Sequence, residues 1–135
     1  ALDVAGRAIG MILELKVEGI GNEACAIVKR TGFPGPLIYA SFLMPELQRV
    51  RQTDPDAKIM VLQHRRLPPD PVADVVALDA SHVGLHFSTV TPMLLQTYHN
   101  LGRQVFVYTV NESQDIQRMR NLGVDGIISD FPDRI

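Results

Sequence analysis

A chain of 135 residues with 46% hydrophobic content makes one domain at most and is able to bury a real core. The formal charge of −2 argues against a nucleic-acid or anionic-membrane binder, because the only clustered cations are His64-Arg65-Arg66, a run expected on a solvated loop. Cys25 is the single cysteine, so no intrachain disulfide exists, and within "ACAIV" it reads as a small buried hydrophobe rather than a nucleophile.

The first residue is alanine, which suggests a processed or cut chain, and "ALDVAGRAIGMILELK" has neither the basic start nor the cleavage pattern of a signal peptide. No apolar run is long enough to span a membrane. A cytoplasmic location is expected, with a periplasmic or secreted one left open. "MILEL", from Met11 to Leu15, reads as a buried strand in which Glu14 is the exception. After the break "EGIG" comes a helix with Asn22 as N-cap, Ala24, Ile27 and Val28 inward, and Gly32 as its stop. Pro36 to Phe42 is again strand-like and ends near Ser41. In "MPELQRVRQTDP" Pro45 suits a first helical turn, Leu47 and Val50 give the apolar stripe, and Pro55 ends it.

Lys58 to Leu62 forms the third strand, and Gln63 to Asp79, with Pro68, Pro69 and Pro71, is expected to be the loosest part of the chain. A short extended stretch from Val83 to Leu85 leads to a helix with Thr91 as N-cap, Pro92 at its first position and Gly102 at its end. Met93, Leu94, Thr97, Tyr98 and Leu101 are expected on its inner face. "QVFVYTV" is a strand, "ESQDIQRMRNLG" a helix with Ile116, Met119 and Leu122 inward, and "GIIS" a last strand. About five strand-helix repeats with continuously apolar strands call for a parallel sheet covered by helices, in a barrel or a doubly wound arrangement. In both, function sits at the C-terminal ends of the strands, and the polar residues there are Glu14, Lys16, Ser41, Gln63 or His64, Thr109, Asn111, Ser129 and Asp130.

An ionised Glu14 in an apolar strand is costly to bury unless it is paired or bound to a metal. Lys16 follows by two residues and points to the same face. An oxygen ligand for Mg²⁺ or Ca²⁺ beside a cation for a phosphate oxygen suits metal-assisted phosphodiester cleavage. An internal Glu14–Lys16 ion pair is the plainer alternative. His82 and His86 have metal-ligand spacing but read as ordinary histidines of an extended segment, and His64 as a surface residue near the rim. Ser41 lacks a Gly-x-Ser-x-Gly elbow and is assigned a strand-end hydrogen bond. Phe42 and Tyr108 either wall a pocket or belong to the core, and Asn111 and Asp130 either line the site or cap turns.

"LELK", "YASF", "VYTVN" and "LGVDGIISDFPD", in this order, resemble the later motifs of the glycerophosphodiester phosphodiesterase family, over Ile12 to Asp133. Tyr108 and Ser129 stand where that family usually has Trp and Thr. The resemblance implies a (β/α) barrel of TIM type, a divalent metal, Mg²⁺ or Ca²⁺, and hydrolysis of a glycerophosphodiester to an alcohol and glycerol 3-phosphate. It makes Glu14 the metal ligand, Lys16 catalytic and substrate-binding, and Phe42, Tyr108 and Asn111 substrate contacts. The family's His-Arg-Gly, Glu-x-Asp and His-Asp strands are missing from this sequence, so the acid/base pair and two metal carboxylates are not in it. Such a barrel takes about 250 residues, and residues 1–135 are therefore expected to be its C-terminal part, with about the last five strands. The chain alone is then incomplete for catalysis, and pairing with the missing N-terminal half or self-association would close the sheet. A non-catalytic half-barrel that binds a phosphorylated small molecule, or another phosphodiester-cleaving barrel such as a phospholipase, is the alternative.

Overall fold

The computed structural model describes residues 9–135. The readings of residues 1–8, a start without Met and without a leader pattern, lie outside them. Six parallel strands run in sequential order across one sheet: β1 (Met11–Glu14), β2 (Leu37–Ser41), β3 (Lys58–Leu62), β4 (His82–His86), β5 (Gln104–Tyr108) and β6 (Gly126–Ile127). Five helices connect them: α1 (Gly21–Thr31), α2 (Met44–Thr53), α3 (Ala73–Ala77), α4 (Pro92–Asn100) and α5 (Ser113–Leu122). Among the described residues the six strands fall at the six extended stretches read from the sequence, in line with the expected count of about five.

Strand side chains alternate between two faces, and the faces have different covers. Tyr39, Ile59, Val61, Val83, Leu85, Val105 and Val107 pack against Cys25, Leu47, Val50, Val75, Leu95, Tyr98, Ile116 and Met119 of the five helices. Each fully buried large side chain in this layer stabilises the fold by about 2 kcal/mol. The opposite face gathers Ile38, Ala40, Phe42, Met60, Leu62 and Phe106 into a separate small cluster built from the strands and the residue after β2. Phe42 follows β2 and Tyr108 ends β5, three strand spacings or about 14 Å apart in a flat sheet. Their ring centroids meet at 5.9 Å. A sequentially ordered sheet that curls toward one face and carries its helices on the other is an arc of a (β/α) barrel, not a doubly wound sheet.

Some local expectations are corrected. Asn22 is not the cap of α1; that position falls on Ile20, whose side chain makes no capping bond, and Asn22 Oδ1 instead accepts from Thr53 Oγ1 at 2.9 Å. Ile27 is 39% exposed, because Cys25 takes the inward position. In α4, Thr91 Oγ1 does accept from the Leu94 amide at 3.1 Å, but the buried residues are Leu95 and Tyr98 while Met93, Thr97 and Leu101 face solvent. Tyr98 sets this phase: its hydroxyl lies 2.8 Å from the Pro71 carbonyl and 3.3 Å from Gln63 Oε1. Gln63 Nε2 also donates to the Pro71 carbonyl. These bonds, buried or partly buried, pin the segment that the sequence marks as loosest, and it contains α3. At the opposite end of the sheet, Arg51 donates to the carbonyls of Leu78, Pro55, Ala57 and Asp79, tying α2 to the starts of β3 and β4.

Candidate active site

Because all strands are parallel, Glu14 at the end of β1 and Asn111 just after β5 emerge at one end of the sheet, with Lys16 and Asp130. Glu14 lies on the inner face and lines a cavity of about 290 Å³ together with Phe42, Tyr108, Thr109 and Ile128. Its side chain is 37% exposed, so the expected burial in an apolar strand is not found. The inner face of the arc is open at this rim, and the carboxylate meets solvent there. Lys16 Nζ stands 4.0 Å from Glu14 Oε2 with its side chain 76% exposed, a contact too long and too wet to add much stability.

Aromatic rings form a second feature of the rim. Phe42 stacks on His64 with centroids 4.3 Å apart and meets Tyr108 edge-on, while Tyr108 meets His86 edge-on at 5.8 Å. The Tyr108 hydroxyl donates to the Gln63 carbonyl. Burial, with the charge of Glu14 as a lesser cause, pushes its phenol up from the ordinary 10.0, so it is a neutral donor at pH 7. His82 and His86 sit on the same face at opposite ends of β4, about 13 Å apart at 3.3 Å per residue. They cannot share an ion. Ser81 Oγ lies 2.6 Å from His82 Nδ1, and His86 Nδ1 lies 2.7 Å from Ser88 Oγ. Among the described residues, no group of three or more His, Cys, Asp or Glu side chains is placed to hold a metal by itself.

Asn111 does not cap α5, whose cap position is Glu112. Its Oδ1 accepts from Ser129 Oγ at 3.1 Å and from the Asp130 amide at 3.0 Å, and its Nδ2 donates to Asp130 Oδ2 at 3.1 Å. The side chain therefore fastens the end of β5 to the end of β6, and one N–H of its amide is left over. Ser41 is fully buried and makes the strand-end bond assigned to it, donating to the Leu15 carbonyl at 2.6 Å. Cys25 is buried, and burial pushes its thiol up from 9.0, which fits a packing role.

Glu46, which sequence reasoning missed, is the one buried carboxylate of this end of the sheet among the described residues. It accepts from the amides of Gly19 at 2.8 Å, Ile20 at 3.1 Å and Gly21 at 2.8 Å, and Arg49 Nη1 donates to it as well. Gly19, at φ +83, turns the chain so that these successive N–H groups converge. Gly21 is required by contact: a Cβ there would lie 2.8 Å from the Glu46 carbonyl oxygen. Burial pushes the Glu46 carboxyl up, but the amides of Gly19 and Gly21, the Arg49 guanidinium and the Ile20 amide together outweigh it and hold the group below the ordinary 4.5. A carboxyl group with a folded value below its unfolded one favours folding while it is ionised. Its contribution is full above about pH 4.5 and is lost as pH falls through the lower folded value. Thermal midpoints taken from pH 7 down to pH 3 should therefore show wild type losing its advantage over Glu46→Gln below about pH 4.5.

The profile of the glycerophosphoryl diester phosphodiesterase family matches residues 10–134. The chain belongs to that family. A glycerophosphodiester phosphodiesterase of Caldanaerobacter subterraneus is 28% identical over 117 residues, which cover 87% of this chain and 48% of the relative. The chain spans about half the length of the curated relatives it matches. A solved candidate glycerophosphoryl diester phosphodiesterase from Silicibacter pomeroyi superposes with TM-score 0.80 at 31% identity, covering 91% of this chain and 47% of that one. A phosphodiesterase from Oleispira antarctica, solved with the product sn-glycerol-3-phosphate, shares the fold at TM-score 0.81 and 24% identity, over 94% of this chain and 53% of its own. The family assignment agrees with the barrel arc and with the four sequence motifs.

Proposed function

We propose that the complete protein hydrolyses glycerophosphodiesters to an alcohol and glycerol 3-phosphate with the help of a divalent cation, and that residues 1–135 are the C-terminal part of its barrel. The observation that carries this reading is the pairing of Glu14 with Lys16 at 4.0 Å over a cavity at the C-terminal rim. Glu14 offers a hard, partly exposed oxygen to Mg²⁺ or Ca²⁺, which would polarise the phosphoryl group when bound. Its further ligands lie outside the described residues. Lys16 offsets charge on the phosphate oxygens as the transition state forms, a task that suits a well-exposed ammonium with no tight partner among the described residues. Phe42 and Tyr108 wall the glycerol moiety, and the spare N–H of Asn111 meets a substrate oxygen. The acid and base come from the part of the protein that precedes these residues.

Among the described residues, β1 and β6 each have a partner strand on one side only. Further strands of the same protein are to meet both edges and close the barrel. None of the described helices is long and apolar enough to cross a membrane. We propose that the reaction takes place in the cytoplasm. A phosphate-binding half-barrel without chemistry is the second reading, favoured by the lack of an assignable acid/base pair among the described residues.

Release of glycerol 3-phosphate from a mixture of glycerophosphodiesters, with Mg²⁺ or Ca²⁺ and with chelator, separates the two. The complete protein should turn over at about 1 s⁻¹ or more and stop on chelation, and the 135-residue chain alone should stay far below that rate. Turnover at that rate by the chain alone would show the acid/base pair to be misplaced. A complete protein without activity would favour the binding reading.

A further inference from the structure

We propose that Glu46 is a positioning residue that, together with Ser41, holds the strap carrying Lys16 over the phosphate site; this rests on the role given to Lys16 above. The strap runs from Leu15 to Gly21 and is fastened at both ends. At its start the Leu15 amide donates to the Ala40 carbonyl at 2.8 Å, and the Leu15 carbonyl accepts from Ser41 Oγ at 2.6 Å. The Leu43 amide donates to the same Ser41 oxygen at 2.9 Å, which fixes the direction of its proton. At its far end three amides, those of Gly19, Ile20 and Gly21, close on the carboxylate of Glu46. Ser41 and Glu46 are both 0% exposed. Ser41 ends β2 and Glu46 lies in the first turn of α2, with only Phe42 and Leu43 between the two elements, so one short stretch of chain sets the two ends of the strap.

Lys16 itself contributes nothing to its own placement. Its side chain is 76% exposed, and among the described residues its one ionic contact is the 4.0 Å approach to Glu14. A long flexible lysine at that exposure keeps its rotamer freedom, so where its ammonium can reach is decided by the backbone beneath it. That backbone is held by hydrogen bonds to a carboxylate, which are stronger than neutral ones. A shift of about 1 Å in a positioning element costs about 100-fold in rate. Substrate binding, spread over the whole pocket, is far less sensitive.

The test uses the complete protein, at temperatures well below unfolding. Glu46→Gln keeps shape and one acceptor oxygen, and should lower kcat about tenfold or more while KM changes less than about threefold. Val75→Ala, a cavity variant in the fully buried core of α3, should leave kcat unchanged even with a comparable drop in thermal midpoint. Hydrogen exchange should quicken about 100-fold at the Gly19, Ile20 and Gly21 amides in Glu46→Gln and stay unchanged in β3. Should Glu46→Gln fail to fold, Ser41→Ala releases the other end of the strap and should give the same split between kcat and KM. A wild-type kcat in the folded variant, or an equal loss in Val75→Ala, overturns the proposal. Lys16→Ala locates the fault: if it retains full activity, the role of Lys16 fails and the proposal with it. If it loses activity while Glu46→Gln keeps it, the proposal alone fails.

Discussion

Replacing Glu14 by glutamine in the complete protein should lower kcat/KM by about 100- to 1,000-fold, the loss that follows removal of one preorganised electrostatic contact. A neutral amide of equal size cannot match the charge-bearing bond of a carboxylate to Mg²⁺ or Ca²⁺. The fold should survive, because the side chain is 37% exposed and packs no core. Metal binding gives a readout separate from rate, since a ligand that binds only the folded state raises the thermal midpoint by mass action. At a metal concentration of one hundred times Kd that stabilisation is about 2.7 kcal/mol, and it falls to about 0.4 kcal/mol if Kd rises to the metal concentration. If Glu14 were only the partner of Lys16, both the metal-induced rise and the metal dependence of activity would be the same in wild type and variant. An undiminished rise in Glu14→Gln would end its assignment as a ligand.

The second large effect is on stability, and two principles disagree about its sign. Gly21 opens α1, and helix propensity alone predicts that Gly21→Ala stabilises by about 1 kcal/mol. The surroundings predict the reverse. The new Cβ would stand 2.8 Å from the Glu46 backbone oxygen, 2.9 Å from Arg49 Cβ and 3.2 Å from Glu46 Oε2. A backbone carbonyl inside α2 cannot turn aside as a flexible side chain can, so α1 must retreat and lengthen the bonds to the carboxylate. Overpacking costs about 1–3 kcal/mol, and weakening a hydrogen bond to a buried charge costs about 1.5–3 kcal/mol. The net expectation is a loss of about 2 kcal/mol, or about 4–8 °C in thermal midpoint for a barrel of this size. A midpoint equal to or above wild type would show that the two helices have room to spare.

The order of the strands could be read in the sequence because each is a short apolar run bounded by Gly, Pro or small polar residues, and a buried parallel strand needs little else. The C-terminal motifs around Asn111 and Asp130 were legible for the same reason: they follow strand ends directly. Glu46 was not legible. An acid after Pro45 in a first helical turn looks like any residue placed to suit the helix dipole, and its partners are amides 25 to 27 positions away. The available signal was "EGIG", where two glycines around Ile20 imply a tight turn of converging amides in want of an anion. The face of α4 was misread because Met93, Leu94 and Leu95 stand in a row, so periodicity admits two phases. What chooses between them is the bond of Tyr98 to Pro71, 27 positions away. Likewise Glu14 was expected to be buried because a strand pattern does not say whether its inner face is roofed.

The sequential strand order also bears on how the molecule is made. Each strand pairs with its predecessor in the chain, and paired residues are 20 to 26 positions apart, as Phe106 with Gly126 and Met11 with Leu37. Closing loops of this size carries a modest and nearly constant entropy cost, so no pairing within the arc has to wait for a distant one. Growth can proceed strand by strand as the polypeptide lengthens, each new repeat docking on a finished edge. If the complete protein closes a ring as proposed above, the contact that must wait is the one between the first and last strands of that ring, where the separation in sequence is greatest. Such a closure would be the slow step of its folding, and until then the two edges of the arc would stay open to other chains.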